Sequence, residues 1–488
     1  MVVDKWFYPG VATANASYRF LASGRRAVTL VITLILVGAV LLTRTQTVVS
    51  GKRYYDLVVN GVLASPPAVP VINTDYPPNY DWLRQWEHDL PQHNFSLPAP
   101  EGKTGRYVKF SSQTQMLGWN NVLGVVLMDA HLAHESGRAY VFQDYIWEPA
   151  HYPWTKKDEY DWPPKTPLSA LLAGPAAGGL WEPDDDTPRS ISSEWFDVVC
   201  PRSERRFIPT SEVKQHVGWS EGDVMFDTWV SVLREAPESC IEVTTSPEDS
   251  FPQVFDLWLW GNTRLLSMWE RFSSSPTSRL LATSPIVKSG VDKNEYLFLP
   301  KGPRPPHPAS HNPYERMLAM HLRRGDYEGA CKHFSLYSST FYGWNQLEFL
   351  PDRFAVPPGE YGPERDAVYM GRCLPTFEDV IKKVRLARTE YLQGTGKTLD
   401  VMYLLTNEKG TWLDQLREAL RVEGWSTIRT SRDLTWDSAE QKELSMAVDM
   451  DIARQAAVFV GNGWSSFSSN IVHRRLVDGK KPMSTRFF

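Results

Sequence analysis

With 488 residues the chain is too long for one ordinary core and points to two packed domains with additions. Its 42% hydrophobic and 22% charged residues exclude a disordered chain. A formal net charge of -5 without a long Lys/Arg block excludes nucleic acid as an expected partner. Nineteen tryptophans suit either sugar-stacking surfaces or cores and interfaces.

In chain order, residues 1–26 read as a cytoplasmic tail. The uncharged run Ala27 to Thr43, bounded by Arg25–Arg26 and Arg44, reads as a transmembrane helix. Seventeen residues at a rise of about 1.5 Å span roughly 25 Å, the short end for a bilayer helix. A cleaved signal peptide is the rival reading, but no clear small-x-small site follows. The positive-inside count is a tie. The sequon at Asn94 and the paired cysteines favour a lumenal C-terminal side, hence a single-pass type II membrane protein of the Golgi or endoplasmic reticulum. Residues 44–105, rich in Pro and Asn, read as a stem.

Two α/β regions are expected beyond the stem, residues 106–300 and 314–488. Strand Tyr107–Phe110, a helix from Val122 to Ser136 and strand Ala139–Phe142 form a β-α-β unit. The middle, 150 to 300, is Trp/Pro-rich, with helical stretches at Leu168–Ala173 and Phe226–Arg234. After a second Pro-rich linker come strand Met317–Leu322, helix Thr376–Tyr391 and strand Asp400–Leu405. Helix Thr411–Val422, strand Ser426–Arg429, helix Ser438–Gln455, strand Ala457–Val460 and a helix from Ser468 complete a doubly wound pattern. Cys200, Cys240, Cys331 and Cys373 fall into two near pairs, Cys200–Cys240 and Cys331–Cys373, which are disulfides in an oxidising compartment or buried thiols otherwise.

Chemistry concentrates in loops at strand ends. His321, Arg323, Arg324 and Asp326 follow the strand Met317–Leu322. Adjacent guanidiniums there suit a diphosphate, bound bidentately, or an Arg–Asp salt-bridge knot. Strand Ala457–Val460 runs into Gly461, Asn462 and Gly463, and then Ser465, Ser466, Ser468 and Ser469 open a helix. Such a start binds phosphate oxygens or is simply an N-capped turn.

The stretch His321-Leu322-Arg323 with Gly325 and Cys331 resembles the HxR…G motif of GDP-fucose protein O-fucosyltransferases. Phe459 to Ser468 resembles the same family's carboxyl-terminal F(I/V)GN-x-x-SSF motif, and Gly118 to Asn121 with Arg138 resembles its G-x-x-N…R opening. The three occur in family order and identify the chain as a fungal-type O-fucosyltransferase-like protein. The resemblance implies a GT-B-like fold of two Rossmann-like domains facing a cleft, residues 106–300 on the acceptor side and 314–488 on the donor side. It implies inverting, metal-independent transfer of fucose from GDP-fucose to a hydroxyl of a protein or glycan, with no cofactor.

By the same resemblance Arg323 contacts the donor diphosphate and is the catalytic residue. His321 and Asp449 hold guanine or ribose, Ser465 and Ser466 contact phosphate, and Arg324, Gly461 and Phe467 complete the donor site. Gly118, Asn120 and Asn121 line the cleft. The doublet Arg323-Arg324 is closer to the HxRR of α1,6-fucosyltransferases, which leaves the acceptor open. Glu148 is a candidate base for an acceptor hydroxyl, with a solvated loop glutamate as the alternative. Asp449-Met-Asp451 and Asp184–Asp186 match the D-x-D metal pattern by letters, yet Asp449 and Asp451 fall on a helix where neighbours two apart face away from each other. Gly394 to Thr398 imitates a phosphate loop but lacks its first glycine. The rival function is a membrane-tethered binding protein for carbohydrate or nucleotide without turnover.

Overall fold

The computed structural model describes residues 76–113, 117–154, 163–246, 249, 251–299 and 312–488. The expected tail (1–26), the apolar segment (27–43) and residues 44–75 of the expected stem lie outside them. The type II membrane localisation is corrected: among the described residues no helix is long and apolar enough to cross a membrane. The longest described helices show why. Phe377–Thr395 is charged along much of its length, and Trp119–Glu135 carries Asp129, His131 and His134 within a protein core. Residues 76–105, expected as stem, instead carry helix α1 (Asp81–His88), whose Leu83 is buried beside Tyr80 and Leu90 in the main core.

The first sheet is built from β1 (Tyr107–Phe110), β2 (Ala139–Phe142), β3 (Ile191–Ser192), β4 (Arg206–Pro209) and β5 (Cys240–Thr244), in the order β3-β2-β1-β5-β4. Every pairing is parallel. Helix α2 (Trp119–Glu135) is the crossover from β1 to β2, and α3 (Gly222–Glu235) packs beside it, burying Phe226, Trp229 and Leu233. The expected helix at 168–173 is helical only to Leu171, because Leu172–Ala173 pairs instead with Ala282–Thr283. Helix α4 (Pro285–Asn294), capped by the Ser284 hydroxyl, leads towards the second sheet.

That sheet comprises β6 (Met317–Leu322), β7 (Val401–Thr406), β8 (Thr427–Thr430), β9 (Val458–Gly461) and β10 (Thr485–Phe487), in the order β8-β7-β6-β9-β10 and again all parallel. Between the strands run α5 (Tyr327–Leu336), α6 (Pro363–Cys373), α7 (Phe377–Thr395), α8 (Thr411–Val422), α9 (Ser445–Gln455) and α10 (Ser466–Val477). Alternation along β6 sends Leu318, Met320 and Leu322 to a cluster with Val380, Val384, Leu413 and Leu416. Met317 and Ala319 face the opposite way into the large core, which also holds residues of the first sheet's helices. Both faces are therefore covered, as an all-parallel sheet requires.

The helix expected over 438–455 breaks at Leu444, so Ala439–Glu443 and α9 are separate. Gly394 and Thr395 end α7, and Gly396 closes it in the left-handed region at φ 69°. A phosphate loop would have to open a helix there, so this segment is a linker. Both cysteine pairs, Cys200–Cys240 and Cys331–Cys373, are disulfides.

Candidate functional site

In both sheets the first strand in sequence sits at the middle, and the chain reverses direction across the sheet beside it. Crevices outside the carboxyl ends of strands at such a switch point take ligands in open α/β folds. In the second sheet the switch lies between β6 and β9, whose register pairs Leu318 with Val458 and Met320 with Val460. Arg323 to Asp326 leave β6, and Asn462 to Ser466 leave β9, on the same edge. Two motifs some 140 positions apart in sequence are thus neighbours in space.

His321 lies near the end of β6 and is buried. Its Nδ1 is 3.0 Å from the Ser468 hydroxyl, and its ring centroid is 4.8 Å from that of Phe467. Burial, then the neighbouring Arg323 charge, pushes its pKa down to about 3. The imidazole is therefore neutral at physiological pH, with one donor and one acceptor nitrogen.

The two arginines diverge. Arg324 is consumed by the scaffold: its Nε donates to Glu408 at 3.1 Å, its Nη1 to the Pro375 carbonyl at 2.9 Å, and its guanidinium lies 4.0 Å from the Trp412 ring centroid. Its side chain is 18% exposed. The Arg323 side chain is 36% exposed and donates to Asp326 at 2.8 Å. Gly325 makes the turn into α5 at φ 67°, and Asn407 Nδ2 fixes that turn through the Arg324 carbonyl and Asp326. Arg323 is thus the more exposed of the two guanidiniums, held by one exposed carboxylate and lying 5.6 Å from the Tyr327 ring centroid.

The β9 loop is packed tightly. A Cβ on Gly461 would stand 3.0 Å from both Ser468 Oγ and Phe459 Cε1, and one on Gly463 would stand 2.2 Å from Phe341 Cε1. Asn462 brackets the loop: its Nδ2 donates to the Cys373 carbonyl at 2.7 Å, its amide N–H to Ser468 Oγ at 3.1 Å, and its Oδ1 accepts from the Trp464 N–H at 3.0 Å. Ser465 occupies the N-cap of α10 without a side-chain cap bond, so its hydroxyl is not spent on the helix start. The first-turn amides, beginning with Ser466, lack intrahelical acceptors and carry the positive end of the helix dipole.

A clamp that sequence reasoning missed holds this loop in place. Tyr342 N–H donates to the Gly463 carbonyl at 2.8 Å, Trp344 N–H to Ser469 Oγ at 2.9 Å, and Asn345 Nδ2 to the Gly463 and Ser465 carbonyls. Trp464 is enclosed by Phe334, Phe341, Phe354 and Tyr369. The only sequence signal was aromatic density around Gly343, which has no periodicity to read.

On the first sheet's side, Gly118 is exposed and opens α2, which starts three residues earlier than expected and places Asn120 and Asn121 in its first turn. The Asn120 carbonyl accepts from Asn470 Nδ2 at 2.8 Å, and Asn120 Nδ2 lies 3.2 Å from Met446 Sδ. Those bonds dock α2 on α9 and α10. Asn121 is half-buried on the same turn, and Glu148 is exposed ahead of a short 3-10 turn.

Asp449 lies on α9 and accepts from the Tyr403 hydroxyl. Burial raises its pKa to about 6 against the lowering effect of the Tyr403 and Ser431 hydrogen bonds. Asp451 is spent elsewhere, accepting from Thr283 at 2.7 Å and pairing with Arg454 at 2.9 Å. The two carboxylates do not form a metal pair. A second buried acid had no sequence signal: Glu443 accepts from the hydroxyls of Tyr80 and Tyr152, each at 2.9 Å, and of Thr166.

No family model and no curated protein matches the sequence. Among solved structures, the chain is similar to POFUT1 in complex with GDP, with 16% identity and a TM-score of 0.47 over 78% of this chain and 98% of that one. A NodZ alpha-1,6-fucosyltransferase soaked with GDP-fucose gives 13% identity and a TM-score of 0.35 over 75% and 91%. An Arabidopsis thaliana FUT1 mutant in complex with GDP gives 13% identity and 0.33 over 86% and 85%. At these scores the likeness carries neither fold nor function, which rest on the residues of this chain.

Proposed function

We propose that the chain is a glycosyltransferase that moves fucose from GDP-fucose to a hydroxyl of a protein or glycan acceptor, by inversion and without a metal. One convergence carries it: the HxRR and GNGWSS segments, far apart in sequence, meet at the carboxyl ends of adjacent parallel strands at a topological switch point. The motif resemblance in family order supports the choice of donor.

In this proposal the diphosphate lies between Arg323 and the start of α10. Arg323 exchanges its exposed Asp326 partner for phosphate oxygens, a bidentate charge-assisted contact. As the glycosidic bond breaks, negative charge grows on the GDP leaving group. Arg323 and the first-turn amides with Ser465 and Ser466 stabilise it, which is the service a metal performs in other transferases. Neutral His321 and Asp449 serve the nucleoside. Asn120 and Asn121, on the α2 wall, face the acceptor. Residues 106–300 and 314–488 are the acceptor-side and donor-side domains.

The test is calorimetric binding of GDP-fucose, GDP-mannose and UDP-glucose to the full chain, together with product formation on an acceptor panel. Selective GDP-fucose binding that is lost in Arg323→Ala, with fucosylated product, is expected. Equal indifference to all three donors in a folded sample refutes the proposal. Tight GDP-fucose binding without product on any acceptor would instead favour a binding protein without turnover.

A further inference from the structure

The last turns of α2 carry His131, His134 and Glu135 on one face, at the i, i+3 and i+4 spacing that brings side chains together on a helix. One ligand atom from each lies within 4.8 Å of the other two. His131 is fully buried with its ring stacked on Phe226 at 4.8 Å and beside Phe272 at 5.9 Å. Rings cover its faces, yet neither of its nitrogens has a hydrogen-bond partner among the described residues. A buried polar group without a partner is costly, and an imidazole in that position is poised for an acceptor of its lone pair.

His134 is prepared in a different way. Its Nε2 is 2.7 Å from Asp185 Oδ2, and its ring contacts Trp181 at 4.6 Å between centroids. Asp185 is itself oriented by the Thr187 N–H at 2.9 Å. A carboxylate on one imidazole nitrogen fixes the tautomer and leaves the other, here the buried and unpartnered Nδ1, with a free lone pair. Glu135 Oε1 lies 4.0 Å from that Nδ1, while its Oε2 is held by Arg271 at 3.1 Å. Arg271 also pairs with Asp227 at 2.5 Å. Three carboxylates (Glu135, Asp185, Asp227) stand around the cluster against two guanidiniums, Arg271 and Arg234, the latter donating to the Glu135 carbonyl, so the surroundings keep a net negative charge that favours a cation.

We propose that His131, His134 Nδ1 and Glu135 Oε1 bind a zinc-class divalent cation, with Asp185 and Arg271 orienting the ligands and water completing the shell. Two imidazoles and one carboxylate are a borderline-soft N₂O set that suits Zn²⁺ better than Mg²⁺ or Ca²⁺. The site stands apart from the proposed cleft, because His131 lies ten positions beyond Asn121 on α2, about 15 Å along the helix. Its role is to pin the end of α2 to the Trp181–Thr187 loop and to the helix carrying Arg271, and it is independent of the fucosyltransferase proposal.

The full chain is stripped with EDTA and titrated with zinc chloride by calorimetry, with thermal melting in parallel. One zinc per chain and a raised melting temperature are expected. Asp185→Asn should weaken binding about 10–100-fold, the usual cost of losing a carboxylate behind a ligating histidine. Glu135→Gln and His134→Gln should weaken it at least as much, and Co²⁺ should give the intense visible bands of a four-coordinate site in wild type only. Glu135 and Asp185 lie nearer the surface than His131, so their variants keep the test decisive where His131→Gln fails to fold. Folded wild type that takes up no zinc, or Asp185→Asn and Glu135→Gln with wild-type affinity, overturns the assignment.

Discussion

Glu443 offers a test of the interior that needs no knowledge of substrate. Its carboxylate is buried and accepts three hydroxyls, Tyr80 from the segment before the first sheet, Tyr152 from the Trp-rich region and Thr166. Burial nevertheless wins, helped by the like charge of Glu440, and lifts its pKa from 4.5 to about 7 against the lowering effect of the hydrogen bonds. Because the folded value is raised, the stabilising effect is complete below pH 4.5 and is lost as pH climbs through 7. At about 1.4 kcal/mol per pKa unit, the loss between pH 5 and 8 is about 2.5 kcal/mol. Glu443→Gln removes the titration while keeping the shape. Denaturant midpoints of wild type and variant, measured at pH 5 and pH 8, isolate the effect as a difference of differences. Glu87, also raised to about 7 by burial, contributes equally to both proteins and cancels. Parallel pH dependences for the two proteins would refute the reasoning.

Three further outcomes are expected. Arg323→Ala should lower the fucosyl-transfer rate on the order of 10²–10³-fold, and activity within a few-fold of wild type would remove Arg323 from the proposed role. Gly463→Ala forces a methyl into the Phe341 ring, which is itself packed on Trp464, Phe354 and Phe487, so the β9 loop must shift. Overpacking of this kind costs about 1–3 kcal/mol, and a 1 Å displacement of positioned groups costs about 10²-fold in rate. Melting temperature and GDP calorimetry should both fall, and an unchanged pair of values would show that Phe341 yields. Reducing Cys331–Cys373 frees α5 from α6, whose last carbonyl anchors Asn462. A stability loss of about 2–4 kcal/mol with weaker GDP binding is expected when this bridge alone is removed in Cys331→Ser/Cys373→Ser, to be read by melting and GDP calorimetry against wild type.

The periodic parts of the fold were legible because burial imposes them locally. Strands Met317–Leu322 and Val401–Thr406 open with the continuous apolar runs Met317 to Met320 and Val401 to Leu405, as strands covered on both faces do, and the helices between them repeat their apolar residues at helical spacing. Three edge strands were not: Ile191–Ser192 and Thr485–Phe487 are too short to show a period, and Arg206–Pro209 is mostly exposed and carries no apolar run. The phosphate-loop mimic at Gly394 was set aside on sequence for its missing glycine, and its place at a helix end agrees.

The sequence alone singled out two loops as candidates for chemistry, because adjacent arginines and a Gly-Asn-Gly turn opening a serine-rich helix suit a diphosphate, with a salt-bridge knot and an N-capped turn as the structural alternatives. It also brought the cysteines into the pairs observed as Cys200–Cys240 and Cys331–Cys373. It did not decide which guanidinium is available: Arg323 and Arg324 are equivalent as letters, and only Glu408, Pro375 and Trp412 single out Arg324 as bound to the scaffold. Nor did it show the Phe341–Asn345 clamp, the buried Glu443 or the His131–Glu135 cluster with Asp185. Each depends on partners tens to hundreds of residues away, and chain reversal at the switch points, not local propensity, sets those distances.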